Sequence, residues 1–164
     1  MNQNRIEPGP GQESVWDYPR PPRLEDSVKH IEIVFNGVKI ADSTRAKRVL
    51  ETSHPPVYYL PTEDIKMEYF SPVSRQTFCE WKGAASYYDI TVGDKTLSAG
   101  AWYYSEPNLA FNAIKDYVAL YPGKMDTCYV DGEKVQAQPG DFYGGWITSD
   151  IVGPFKGAAG TWGW

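Results

Sequence analysis

The chain has 164 residues, enough for one domain that buries roughly 68–70% of its unfolded surface. Charged residues at 23% and hydrophobic ones at 41% sit near the globular average and exclude wholesale disorder. Sixteen basic against twenty-one acidic residues, a net charge of −5, argue against a dedicated nucleic-acid binder, which carries a basic excess.

No charged start leads into an apolar run. No apolar stretch reaches the roughly 20 residues of a membrane helix. The expectation is a cytoplasmic protein that meets neither nucleic acid nor membrane. The aromatic share of 15%, with six Trp and twelve Tyr, favours strands and pocket walls.

Residues 1–28 are rich in proline, glycine and charge, and Val15-Trp16-Asp17-Tyr18-Pro19-Arg20-Pro21-Pro22-Arg23 reads as an extended strap docked by Trp16 and Tyr18. Lys29 to Phe35 alternates, Asn36-Gly37 turns, and Val38 to Ala41 returns, which is the strongest short hairpin signal. Ser43 caps an expected short helix through Ala46, Val49 and Leu50, ending before Pro55-Pro56. Arg45, Lys47 and Arg48 read as a solvated helix face or turn.

Tyr58–Leu60 and Ile65–Phe70 read as strands, and Gly93-Asp94 joins Tyr87–Val92 to Thr96–Tyr104. Asn108 opens a second expected helix to about Leu120, with Phe111, Ile114, Val118 and Tyr121 on one face and Pro122-Gly123 as its stop. Thr127 to Val130 turns at Asp131-Gly132 into Glu133 to Ala137. Gly140 to Trp164 holds seven glycines and three tryptophans, and reads as an irregular arm wrapped on the β core. The expected organisation is a strap over 1–28, a domain over 29–139 and an arm over 140–164. The fold class is mainly β (α+β), with two packed antiparallel sheets and two short helices.

Cys79 and Cys128 stand far apart, neither in a Cys-x-x-Cys pair, and the two histidines, His30 and His54, are not closely spaced. No metal site is expected from that set. A disulfide between the cysteines would be unusual in the cytosol.

Several segments carry a resemblance: Val15 to Pro22, the Asn-Gly hairpin running on to Ile40-Ala41-Asp42-Ser43, Val49-Leu50-Glu51-Thr52-Ser53-His54-Pro55-Pro56-Val57-Tyr58-Tyr59-Leu60-Pro61, and Cys79-Glu80-Trp81-Lys82-Gly83-Ala84-Ala85-Ser86-Tyr87. In this order they resemble the uncharacterised bacterial and fungal family numbered 427 among domains of unknown function, from about Val15 to Asp131. The resemblance implies a two-sheet β-tent architecture, shared with B-type methionine sulfoxide reductases and the ligand domain of cereblon. Many of those relatives hold a four-cysteine zinc, whose ligands this chain lacks. The family it resembles also bears a nucleotidyltransferase-like label. This sequence has no Gly-Ser followed by closely spaced Asp residues and no phosphate-cradling Gly-rich loop.

The two dense segments point to a pocket for a small organic ligand lined by Glu51, His54, Tyr58, Cys79, Trp81 and Lys82, with Tyr87 and Trp102 as further walls. His54 beside Glu51 is a candidate acid/base, and Cys79 near Lys82 a candidate nucleophile. A loop histidine bonded to backbone, a buried apolar thiol, and a Glu51–Lys82 ion pair are the structural readings of the same residues. An enzyme using His54/Glu51 or Cys79 is one alternative function. A protein-interaction or homodimerisation module built on the strap and the arm is the other. The residues name no cofactor.

Overall fold

The computed structural model describes residues 5–140 and 142–164. The first four residues of the expected strap and residue 141 of the expected arm lie outside the described residues. In chain order, β1 (Glu13–Ser14) and β2 (Arg23–Asp26) are followed by the hairpin of β3 (Ile31–Phe35) and β4 (Val38–Ser43). Next come β5 (Lys47–Leu50), β6 (Val57–Tyr59), β7 (Phe70–Cys79), β8 (Gly83–Val92) and β9 (Lys95–Tyr103). The remaining strands are short: β10 (Val118–Leu120), β11 (Thr127–Val130), β12 (Glu133–Lys134), β13 (Gln136–Ala137), β14 (Trp146–Ile147) and β15 (Ile151–Val152).

Two four-stranded antiparallel sheets, ordered β10-β9-β8-β7 and β12-β11-β3-β4, and a three-stranded sheet β2-β5-β6 carry the molecule. Ile31, Ile33, Phe35 and Ile40 from one four-stranded sheet pack on Phe70, Ile90, Ala101 and Leu120 from the other. That contact buries aliphatic surface at about 25 cal/mol per Å² and is the main core. Among the described residues no helix is long and apolar enough to cross a membrane.

The turns follow from local chemistry. Asn36 and Gly37 have φ of 47° and 77°, and Asp131 and Gly132 have 49° and 81°, the paired positive values a type I′ hairpin demands. Gly93 alone is positive in its turn, at 60°, as a II′ turn requires.

Both expected helices are corrected. Among the described residues there is no α-helix, only short 3₁₀ turns. Ala46, Val49 and Leu50 recur at helical spacing, but Lys47–Leu50 is the middle strand of the three-stranded sheet. Its cations are paired rather than solvated: Arg48 with Glu13 at 2.7 Å and Lys47 with Asp26, while neighbouring Arg45 meets Asp64 at 2.7 Å. In the second case Leu109–Ile114 is a 3₁₀ segment, Asp116 turns left-handed at φ 62°, and Val118–Leu120 is a strand. Phe111, Ile114 and Val118 are buried all the same, so the apolar spacing marks the core without setting the helix.

The expected strand Ile65–Phe70 is also corrected: Met67–Tyr69 is a 3₁₀ turn, and the strand begins at Phe70. Strap and arm meet in a parallel pair, Glu13 opposite Ile151 and Ser14 opposite Val152. Of the arm's tryptophans, Trp146 is buried and Trp164 meets Trp16 edge-on at 5.3 Å. Trp162 stands in solvent.

Candidate functional site

The outer face of the β10-β9-β8-β7 sheet carries a second cluster, rich in aromatics and alanine. Tyr87 lies directly opposite Trp102 across the β8–β9 ladder, so both project to one side, while Tyr88 and Ala101 project to the other. Ala85 and Ala99 stand on the Tyr87 side. Their small side chains leave the space between the rings unfilled, and a cavity of about 400 Å³ results. That lies within the usual range for small-molecule sites.

Glu51, His54, Cys79, Lys82, Tyr87 and Trp102 all line the cavity. Tyr58 and Trp81 do not. Strand alternation turns Val57 and Tyr59 of β6 toward the cavity and sends Tyr58 into the main core, against Trp146 at 5.1 Å. Trp81 sits in the β7–β8 turn, where its carbonyl accepts from the Asn108 amide at 3.0 Å. The Lys82 carbonyl accepts from the Asn108 backbone at 2.8 Å, so this asparagine pins the turn from which Lys82 reaches inward.

The Glu51–His54 turn is held from both ends of the chain. Ser53, left-handed at φ 73°, donates its N–H to Val15, and its carbonyl accepts from Lys156 at 2.9 Å. Glu51 pairs with Arg20 at 3.3 Å rather than with Lys82. His54 is mostly buried beneath Tyr143, ring centres 4.9 Å apart.

Its tautomer follows from its neighbours. The Gln138 side-chain oxygen accepts from the Gly145 N–H at 3.1 Å, and its nitrogen donates to the Lys156 carbonyl at 2.8 Å. That fixes the amide, whose nitrogen then also donates to His54 Nδ1 at 3.1 Å. The proton of the neutral ring therefore sits on Nε2, 3.7 Å from Glu51. Burial and the charges of Lys156, Arg20 and Lys82 push the His54 pKa down to about 4. At neutral pH His54 is a hydrogen-bond donor rather than a proton acceptor.

Four cations, Arg75, Lys82, Lys124 and Lys156, face the cavity, and Glu51 is the only carboxylate in its wall among the described residues. Each lies over a tyrosine ring: Arg75 over Tyr87 at 4.9 Å, Lys82 over Tyr104 at 6.0 Å, Lys124 over Tyr121 at 4.6 Å and Lys156 over Tyr143 at 5.8 Å. None has an Asp or Glu side chain within 4.0 Å among the described residues, while Lys156 Nζ donates to the Trp164 main-chain oxygen at 3.3 Å. Burial works against the Lys82 charge, but Tyr59, Cys79 and Glu51 outweigh it, and its pKa lies above the ordinary lysine value. Burial raises Tyr59 and Tyr104, which stay neutral phenols.

Sequence reasoning missed Arg75, Lys124, Gln138, Tyr143 and Lys156. Arg75 lies on β7, a polar strand containing Pro72 that is tolerated because β7 is its sheet's edge. Lys124 stands on the 3₁₀ turn Pro122–Lys124 after β10, and Gln138, Tyr143 and Lys156 arrive on the arm or its approach. Gly144 passes so close to Trp102 that an added Cβ would stand 2.3 Å from the ring, and one on Gly145 would stand 2.7 Å from Pro55. The glycine signal was visible in the sequence. Its partner ring was not.

A separate group, His30, Glu32 and Asp42, converges on the β3–β4 face, with ligand atoms within 4.8 Å of one another. Lys39 already bridges both carboxylates, at 3.0 and 3.2 Å. Cys79 and Cys128 are free thiols, and burial pushes Cys128 up to about 12.

The fold and its cavity define a mainly β domain with an aromatic, cation-lined pocket. The family profile described as "Domain of unknown function (DUF427)" matches residues 23–131, about two thirds of the chain, and the chain belongs to that family. No curated protein matches it.

Proposed function

We propose that this protein binds a small organic anion in the cavity between the β7–β9 face, the Glu51–His54 turn and the arm. One observation carries the reading. An acidic chain gathers four cations into one cavity, among described residues that offer a single carboxylate already engaged by Arg20. Cations without an acidic side-chain partner in a partly desolvated wall are stabilised when an anion arrives, and enclosure strengthens that attraction.

The reading extends to three finer points. The two four-stranded sheets meet as a β-tent, in keeping with the family resemblance. The unit over 29–139 is that β-tent-like domain, with 140–164 as the arm that completes the cavity wall and 1–28 as a strap that braces the Glu51–His54 turn. The location is cytoplasmic, which the two free thiols support.

The test is a double variant, His54→Ala with Lys82→Ala, compared with the wild type in ligand uptake and in circular dichroism. Uptake of an organic anion should be lost while the β signal stays. An anion bound equally well by both proteins would place the site elsewhere.

A further inference from the structure

We propose that the anion is a planar aromatic acid, its ring lying against the wall formed by Tyr87, Trp102 and Tyr121 and its acid group beside Lys82 and Lys156. This rests on the anion-binding reading above.

The aromatic part follows from the shape of the wall. Trp102 and Tyr121 pack on each other with ring centres 4.6 Å apart at 47°, and Tyr87 is the cross-strand neighbour of Trp102, so the three make one continuous aromatic wall rather than a slot. Ala85 and Ala99 line the same cavity, so the aromatic wall borders space that their small side chains leave open. Offset and edge-on contacts with such faces reward a ring over a saturated group of equal size.

The position of the acid follows from burial. Arg75 and Lys124 are exposed, whereas Lys82 and Lys156 are half-buried and both act on His54. Both lysines line the cavity and are its less exposed cations. A carboxylate or a phosphate would be drawn to their ammonium groups, and both are acids in the sense meant here. The exposed pair at the rim steers an anion inward.

Isothermal titration calorimetry of the full chain with three matched probes tests this: 2-naphthoate, decalin-2-carboxylate and 2-naphthamide. The expected order puts 2-naphthoate at least about tenfold tighter than its saturated counterpart, as ring stacking predicts. It should also exceed the neutral amide by at least about tenfold, and Lys82→Met should abolish that second margin. Equal binding of the two acids would overturn the aromatic proposal and leave the anion reading standing. Equal or tighter binding of the amide, or no binding of either acid, would overturn both. A margin that survives Lys82→Met would overturn the placement of the acid group beside Lys82.

Discussion

The β10-β9-β8-β7 sheet has two faces of opposite character. Its inner face, with Phe70, Ile90 and Ala101, closes on Ile31, Ile33 and Phe35 in a core of aliphatic and phenyl groups. Its outer face, with Ala85, Tyr87, Ala99 and Trp102, carries rings, alanines and nearby cations, and it stays open by about 400 Å³. Strands of one sheet thus supply a filled side that holds the fold and an unfilled side that can hold something else. Stability and function are therefore separable by face.

The largest expected effect breaks the filled side. Ile33→Ala leaves a hole that the two sheets cannot close, and should cost about 2–5 kcal/mol in denaturant unfolding. A loss below about 1 kcal/mol would mean the inner face is not the main core.

His54 gives the next effect, through pH. The ordinary histidine value is 6.5, and burial with nearby cations lowers it to about 4. Between those values the unfolded chain takes up a proton that the folded chain refuses. Stability should therefore fall as pH drops from about 6.5 to about 4, by on the order of 3 kcal/mol, and be fully present above that window. His54→Gln should flatten this stretch of the profile. An unchanged slope in the variant would show that His54 titrates normally.

Ala85→Leu sharpens the contrast, because the same kind of enlargement that overpacks a filled core should here fill a void. Thermal unfolding should shift by less than about 1.5 kcal/mol equivalent, while anion uptake drops at least about tenfold. Destabilisation with uptake intact would show that the space is packed in solution. The smallest effect belongs to Trp102→Phe, which removes the indole donor that meets the Tyr59 hydroxyl at 3.2 Å. About 1 kcal/mol of stability should be lost.

The two faces also differ in how far the sequence disclosed them. Asn36-Gly37 and Asp131-Gly132 announced their hairpins, because the turn chemistry is local. Phe111, Ile114 and Val118 announced burial but misled about conformation, since a 3₁₀ turn followed by a strand can bury residues at the same spacing. Val49 and Leu50 likewise gave way to pairing with β2 and β6, where tertiary context outweighs a short helical pattern.

At the site, Glu51, His54, Cys79 and Lys82 were legible as dense neighbours in sequence. Tyr58 was misplaced by one step of strand alternation, and Trp81 by its position in a turn. Arg75, Gln138 and Lys156 come together only through long-range closure by an edge strand and the arm, for which no linear pattern exists.

The most direct test of an anion-binding cavity is a pair of native mass spectra, of gently purified wild type and of Ala85→Leu, each repeated after denaturation. The account predicts a mass excess on the wild type that denaturation removes and that the Ala85→Leu variant lacks. An equal excess on both proteins, or a wild type that stays bare when offered aromatic and aliphatic acids, would contradict it.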